Sequence, residues 1–126
     1  APAFHYELGK RLAALRDEGV LIVGSGNVVH NLGVLNWKDD APAFDWAVRF
    51  NDAVRDHVLQ REHPPLVDYG NLGDDARMSI PTPEHYLPLL YILGLHDERE
   101  TAAVAVDGIQ NASISMLSVV VGGGAV

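Results

Sequence analysis

The sequence predicts an α/β fold, with a central mixed sheet flanked by helices, from three observations. An amphipathic helical pattern over residues 4–18 leads through Gly19 into a continuous apolar run at residues 20–23. A glycine-rich loop follows that run. Near the C-terminus, residues 101–106 and 113–121 have the β-branched composition of strands. Helix, turn, buried strand and glycine-rich loop follow one another in α/β units, where functional groups lie at the carboxyl end of the strand.

The first helix is predicted from the spacing of its leucines. Leu8, Leu12 and Leu15 recur at i, i+4 and i+7 and would form one apolar face. Gly19 is a suitable left-handed cap and should end the helix. The next residues, 20–23, are all apolar, which is typical of a strand covered on both faces.

The middle of the chain is predicted to hold one long helix between irregular segments. Residues 31–43 are expected to be irregular, and residues 42–62 form the second predicted helix, which the Pro64-Pro65 pair should end. Residues 68–79 carry two glycines and three aspartates and are predicted to be a surface loop with one helical turn.

A third helix is predicted to begin at Pro83. Thr82 is a suitable N-cap, and proline suits the first helical position because its missing N–H has no partner there. We expect the helix to end near Leu93 with Gly94 as its cap, and Pro88 to kink or loosen its first turns.

Length and composition limit the class of protein. A chain of 126 residues is expected to form one domain, residues 1–126, and 48% hydrophobic residues suit a folded core. Asp and Glu outnumber Lys and Arg by 17 to 9, which disfavours binding to nucleic acid. The absence of cysteine excludes disulfides and Cys-based zinc sites and favours a cytoplasmic location. No apolar run approaches the length of about 20 residues that spans a bilayer, so we expect no membrane partner.

Two histidines lie in short polar motifs beside apolar elements. His30 lies in the loop after the predicted strand, and His85 lies in the first turn of the third predicted helix. Imidazole suits both metal ligation and proton transfer near neutral pH. Two histidines do not make a metal site by themselves, so further ligands would have to come from elsewhere.

Each motif also has a plainer interpretation. His30 could be a loop histidine bonded to a carbonyl, or its glycines could cradle a phosphate, although Val29 replaces the third glycine of a dinucleotide motif. His85 could pack on its helix, and Glu84 could simply favour the helix dipole from the surface. Of the other histidines we expect three to be solvated and one to be a minor candidate for a cleft: His57, His63 and His96, and then His5.

The two motifs resemble signatures of a known family. Residues 24–32 (Gly-Ser-Gly-Asn-Val-Val-His-Asn-Leu) and 81–90 (Pro-Thr-Pro-Glu-His-Tyr-Leu-Pro-Leu-Leu) are similar to those of DOPA-type (4,5-DOPA) extradiol ring-cleavage dioxygenases. These enzymes belong to the class III extradiol, or protocatechuate 4,5-dioxygenase beta-chain-like, superfamily. Residues 12–20 and 113–118 match the same family in style. The resemblance implies that the chain is the C-terminal piece of a larger single catalytic domain.

The resemblance also implies roles for individual residues. His85 would be a metal ligand, and His30 would be the active-site histidine that handles protons and can itself approach the metal. Asn27 and Asn31 would shape the substrate pocket. The family's two further metal-binding histidines belong to the N-terminal half, which has no counterpart in this sequence, so the 126 residues alone are expected to be inactive.

The implied reaction is the opening of a catechol ring, such as that of DOPA, with dioxygen at a mononuclear non-haem iron(II). Iron with open positions can bind substrate and oxygen together, whereas zinc, the alternative metal, has no redox chemistry. The expected protein partner is the missing N-terminal half or a second copy of the chain. Three other classes stay open: a zinc-dependent hydrolase on the same scaffold, a non-catalytic module that binds a catechol or a metal, and a nucleotide-binding domain.

Overall fold

The computed structural model describes residues 1–123, and residues 124–126 of the predicted domain lie outside this description. The predicted α/β class is confirmed. The helices are α1 (Pro2–Leu12), α2 (Ala14–Asp17), α3 (Asp45–Leu59), α4 (His63–Val67), α5 (Asp74–Ser79) and α6 (Leu87–Gly94). The strands are β1 (Ala102–Val106), β2 (Ile109–Gln110), β3 (Ile114–Ser115) and β4 (Ser118–Val121). Short 3-10 turns lie at Leu32–Val34, Tyr69–Leu72 and Pro83–His85.

The predicted first helix is present, but it divides into α1 and α2 at Ala13. Gly19 ends it as expected, with a φ of +81° in the left-handed region that favours glycine. α1 packs against α6 so closely that a Cβ on Gly9 would lie 3.0 Å from the Cα of Tyr91. This backbone contact joins the start of the chain to the helix that follows His85.

α3 is the central helix of the core. Its buried side chains recur at helical spacing, and they pack against residues of α4 and of the α6 region. The buried apolar residues of these three elements are Ala47, Phe50, Val54, Val58, Leu66, Tyr86, Leu90 and Leu93. The Pro64-Pro65 pair lies within α4 rather than in a loop, because proline is tolerated in the first turn of a helix. No helix within residues 1–123 is long and apolar enough to cross a membrane.

The strands form two small antiparallel sheets, one of β1 with β4 and one of β2 with β3. Ala102 pairs with Val121 in the first sheet, and Gln110 pairs with Ile114 in the second. The single strand predicted at residues 113–121 is therefore two strands. The chain turns between them where the Ser115 hydroxyl accepts a hydrogen bond from the N–H of Leu117 (3.0 Å).

The strand predicted at residues 20–23 is not formed among the described residues, and that prediction is wrong. The segment carries no strand assignment and pairs with none of the four strands. Leu21 is 86% exposed and Val23 is 78% exposed, where burial on both faces had been expected. The apolar run is present, but none of the four described strands pairs with it.

Candidate functional site

The two motif histidines lie together. The rings of His30 and His85 are stacked, with centroids 3.6 Å apart and planes inclined by 20°. Both residues are half-buried. Neither side chain makes a hydrogen bond to another of residues 1–123, so these nitrogens are available to a proton or a ligand.

Backbone pairing on two sides holds His30. Its N–H donates to the carbonyl of Ser79 (2.9 Å), and the residue forms an antiparallel bridge with Ile114 of β3. The preceding residue, Val29, is fully buried, and its carbonyl accepts from the N–H of Ser115 (2.9 Å). Val28 and Val29 are both buried, and the chain then reaches His30, which is only half-buried.

His85 ends a 3-10 turn, and the prediction that it lies within one continuous helix is wrong. The turn Pro83–His85 and α6 are separate elements with Tyr86 between them. Pro88 lies in the first turn of α6, so it begins a new helix instead of kinking an existing one. Tyr86 is buried and its hydroxyl donates to the carbonyl of Leu66 (2.6 Å), which fixes the backbone next to His85.

The glycine-rich loop packs directly on this turn. The N–H of Asn27 donates to the carbonyl of His85 (2.7 Å). A Cβ on Gly26 would overlap that same carbonyl oxygen, and a Cβ on Gly24 would lie 2.9 Å from the carbonyl oxygen of Pro88. The two glycines therefore permit close backbone packing, a use that needs no phosphate.

The amide groups of the two predicted pocket residues hold the loop in place. Asn27 Nδ2 donates to the carbonyl of Ser115 (2.7 Å), and Asn31 Nδ2 donates to the carbonyl of Met78 (2.8 Å). Asn31 Oδ1 accepts from the N–H of Gly33 (3.1 Å). Asn27 Oδ1 is therefore the amide atom that would contact a substrate. The substrate-binding role of Asn27 and Asn31 stays a prediction.

Glu84 gives the histidine pair a negative neighbour. The hydroxyl of Thr82 donates to Glu84 Oε1 (2.6 Å) rather than capping the turn, and this hydrogen bond holds the pKa of Glu84 below its usual value. Glu84 Oε1 lies 3.9 Å from His85 Nε2, too far for a hydrogen bond. Partial burial, and then the nearness of His85, lower the pKa of His30, which favours its neutral form.

The pair supplies part of a metal site. A nitrogen lone pair lies in the plane of its ring, so two stacked imidazoles cannot both point at one ion. In this arrangement one ring can ligate while the other lies beside the ligand position. No cluster of three or more His, Asp or Glu within residues 1–123 is placed to hold a metal ion, and catalytic zinc sites use three protein ligands. The residues fit a metal as an incomplete ligand set.

A cleft of about 530 Å³ opens beside His85. Residues 20–28 form one wall, Leu89 and Ile92 of α6 form another, and residues 117–121 close it. His5, the minor candidate for a cleft, does not line it and instead hydrogen-bonds the Tyr91 hydroxyl (2.8 Å).

A second histidine cluster was not predicted, and the expectation that His63 and His96 are solvated is wrong. The Tyr6 hydroxyl lies 2.9 Å from His63 Nδ1, His63 Nε2 lies 3.3 Å from His96 Nδ1, and His96 Nε2 lies 3.0 Å from the carbonyl of Glu100. A carbonyl only accepts, so His96 Nε2 donates, and in the neutral state each earlier member of the row donates to the next. No local motif signals this row, because its members come from separate elements.

Comparison with known proteins identifies the family and agrees with the fold. The chain belongs to the family described as the catalytic LigB subunit of aromatic ring-opening dioxygenase, which matches residues 1–122. A protein named 4,5-DOPA dioxygenase extradiol from Escherichia coli (strain K12) is 48% identical over 123 residues, covering 95% of this chain and 45% of that protein. A protein of the same name from Portulaca grandiflora is 34% identical over 104 residues, covering 78% and 36%. The resemblance to extradiol dioxygenases is thereby confirmed.

A solved structure shows the same relation in three dimensions. The crystal structure of an uncharacterised protein from Escherichia coli K12 superposes with a TM-score of 0.86 at 48% identity, over 94% of this chain and 49% of that one. The chain thus spans about half the length of the relatives it matches. The prediction of a partial domain is confirmed.

Proposed function

We propose that this chain is one half of an extradiol dioxygenase that opens a catechol ring with dioxygen. The observation that carries the proposal is the stacked pair of His30 and His85, held by a family-typical loop and turn in a chain that belongs to this family. Relatives named for activity on 4,5-DOPA support a catechol of that kind as the substrate.

The two histidines would have different roles, metal binding for His85 and proton transfer for His30. His85, 41% exposed in its side chain and fixed by the buried Tyr86, would hold the metal. His30 would accept a proton from a catechol hydroxyl and later return it. Its ring is stacked on that of His85, so it would lie beside a substrate held at the metal without itself pointing at the metal. A bound iron(II) would supply the site where catechol and dioxygen react, and zinc would hold substrate without redox chemistry.

The described ligand set explains why the isolated chain is expected to be inactive. One or two imidazoles fall short of the three protein ligands usual in catalytic metal sites. The remaining ligands would come from the other half of the family's domain. The absence of cysteine from the sequence supports the predicted cytoplasmic location of the reaction.

The test joins this chain to the part of the Escherichia coli relative that it does not match. Oxygen uptake with DOPA and iron content are measured on the same samples. His30→Ala should keep its iron and lose about 10²–10⁴-fold in rate, the usual contribution of a general acid or base. His85→Ala should lose iron and activity together. His57→Ala, on α3 and outside the cleft lining, is the matched control and should retain both.

Three results would overturn the proposal or one of its parts. A His30 variant that keeps full oxygen uptake would remove the acid–base role. An iron-loaded chimera that consumes no oxygen with any catechol, but hydrolyses a substrate when loaded with zinc, would favour the metal-dependent hydrolase. Catechol binding with neither reaction would favour a non-catalytic module.

A further inference from the structure

A buried amide on α3 lies outside both the cleft and the histidine pair. Asn51 is 3% exposed, and both ends of its side-chain amide are hydrogen-bonded. Its Nδ2 donates to Asp107 Oδ1 (2.8 Å), in the turn between β1 and β2, and its Oδ1 accepts from the Ser115 hydroxyl (2.5 Å). Asparagine is rarely fully buried, because a buried amide without partners costs free energy. The two hydrogen bonds therefore hold Asn51, and with it two segments distant in sequence, in one arrangement.

The charge of Asp107 fixes the direction of the hydrogen bonds along this series. Its carboxylate only accepts, and it also receives the guanidinium of Arg55 (3.0 Å). The hydrogen bond from Asn51, more than that from Arg55, holds the pKa of Asp107 below its usual value, so the group is ionised near neutral pH. The NH2 group of Asn51 must face this carboxylate, and its oxygen must face Ser115. The Ser115 hydroxyl then donates to that oxygen and accepts from the N–H of Leu117 (3.0 Å).

Ser115 connects this buried series to the loop that carries His30. Its N–H donates to the carbonyl of Val29 (2.9 Å), and its carbonyl accepts from Asn27 Nδ2 (2.7 Å). The N–H, the carbonyl and the hydroxyl of this one residue all have partners, and it is 1% exposed. A displacement of Ser115 would therefore move the residue before His30 and the side chain of Asn27 together.

Asn27 is the point at which the series reaches the histidine pair. Its backbone N–H donates to the carbonyl of His85 (2.7 Å). Its side-chain amide cannot turn without breaking the hydrogen bond to Ser115, so Oδ1 keeps one orientation. A continuous series of hydrogen-bonded residues thus runs from the turn between β1 and β2 to the backbone of His85: Asp107, Asn51, Ser115 and Asn27.

We propose that Asn51 is a positioning residue for the reaction, and that through Ser115 it holds Asn27 and His30 where substrate binding and proton transfer require them. The catalytic part of this inference rests on the proposed function. Placement matters strongly in catalysis, since a displacement of about 1 Å caused by a distant mutation can cost about 10²-fold in rate. Neither Asn51 nor Ser115 lines the cleft, so each acts on the site through other residues.

A purely structural role for Asn51 would have a different signature. Loss of a buried hydrogen bond lowers the stability of the domain as a whole. A positioning role adds a local effect on residues 27–30 that an equal destabilisation elsewhere on α3 does not produce. Val58 supplies the comparison, because it is a fully buried core residue of the same helix and Val58→Ala removes no hydrogen bond.

Amide hydrogen exchange measures the position of the loop without reference to catalysis. The protein is the joined one that tests the proposed function. Asn51→Leu removes both hydrogen bonds of the amide while keeping a side chain branched at Cγ, and Ser115→Ala removes the hydroxyl. Exchange at the N–H groups of Asn27 and His30 should become at least about 10-fold faster relative to the buried Leu93 of α6, since one lost hydrogen bond changes a local opening equilibrium by about this factor.

Two matched variants show whether the effect is local. Val58→Ala should change the exchange of the loop and of Leu93 in the same proportion. Ser115→Thr keeps a hydroxyl at the same position and should restore slow exchange in the loop.

Oxygen uptake with DOPA is then measured on the same variants and expressed per bound iron. The kcat per iron should fall about 10–100-fold in Asn51→Leu and in Ser115→Ala, as expected for misplaced groups, while the iron content stays unchanged. Ser115→Thr and Val58→Ala should both stay close to wild type.

Several outcomes would contradict the positioning role. Loop exchange that is unchanged, or that rises only in proportion to Leu93, would overturn the inference, and so would locally faster exchange with an unchanged kcat in an active joined protein. If one variant fails to fold, the other gives the same two measurements. Failure of both to fold would also overturn it, because the fold itself would then need the network. A joined protein without dioxygenase activity would contradict the proposed function, and the exchange result alone would decide whether Asn51 positions the loop.

Discussion

At the scale of single residues, Gly26 sets the distance between the loop and the turn of the histidine site. A Cβ at this position would overlap the carbonyl oxygen of His85, so Gly26→Ala must push the two backbones apart. We expect a loss of about 1–3 kcal/mol in the free energy of unfolding, as for other overpacked sites. Gly70→Ala is the control, because a Cβ at Gly70 meets nothing within 4 Å. Urea denaturation of both variants checks this, and equal stabilities would contradict it.

The buried hydroxyl of Tyr86 offers a second test at this scale. It donates to the carbonyl of Leu66 at 2.6 Å, and both residues are fully buried. Tyr86→Phe would leave that carbonyl without its partner and should cost about 1–3 kcal/mol of unfolding free energy. Tyr69→Phe is a suitable comparison, since the Tyr69 hydroxyl makes no hydrogen bond to another of residues 1–123, and it should change stability little. A thermal melt in which Tyr86→Phe matches wild type would show that the carbonyl finds another partner.

At the scale of elements, the Tyr6–His63–His96 row connects α1, α4 and the segment that follows α6. This row makes the stability of the chain depend on pH. Burial is the main cause that lowers the pKa of His63 to about 4. The positive charges of its neighbours lower the pKa further; these are His96, Arg61 and Lys10. Its unfolded value is near the usual 6.5, so the unfolded chain binds more protons between pH 6.5 and pH 4. Stability is therefore fully present above pH 6.5 and falls as the pH drops through this window.

The expected loss between pH 7.5 and pH 5 is roughly 1 kcal/mol from this group, reduced for its partial exposure to solvent. Urea denaturation at the two pH values measures it. His63→Gln should remove most of the difference attributable to this residue, whereas His57→Gln on α3 should preserve it. A wild-type chain that becomes more stable toward pH 5 would contradict the neutral row.

The elements also show which parts of the fold the sequence can predict. The leucine spacing of α1 and the apolar spacing of α3 are local patterns, so both helices follow from them, as does the left-handed conformation of Gly19. The strand at residues 20–23 and the single strand at residues 113–121 were mispredicted because strand formation depends on neighbours distant in sequence. The separation of the turn Pro83–His85 from α6 agrees with Pro88, which has no N–H to continue a helix from the preceding turn.

The candidate site, too, could be predicted from the sequence only in part. The motifs of residues 24–32 and 81–90 were sufficient to single out His30 and His85, which the structure stacks together. The stacking itself, and with it the argument that only one ring can point at an ion, depends on the pairing of His30 with Ser79 and Ile114. No spacing in the sequence contains that information.

At the scale of the whole molecule, an apolar cleft lies beside an incomplete set of metal ligands, and His85 belongs to both. His85 lines the cleft that residues 20–28 and β4 enclose. A side chain or ligand that entered this cleft would therefore lie close to the histidine pair.

The incomplete ligand set predicts that metal affinity depends on the part of the family's domain that this chain does not match. With His30 and His85 stacked and no third ligand among residues 1–123, the isolated chain should bind zinc or iron(II) far more weakly than sites with three or four protein ligands. Adding the unmatched part of the Escherichia coli relative should raise the affinity by a factor of about 10² or more, because it would add metal ligands, and even groups that only hydrogen-bond to a ligand change metal affinity by about 10–100-fold. Calorimetry with zinc on the chain, the complex and a His85→Ala complex measures this. Tight one-to-one binding by the chain alone would mean that its own residues rearrange into a complete site.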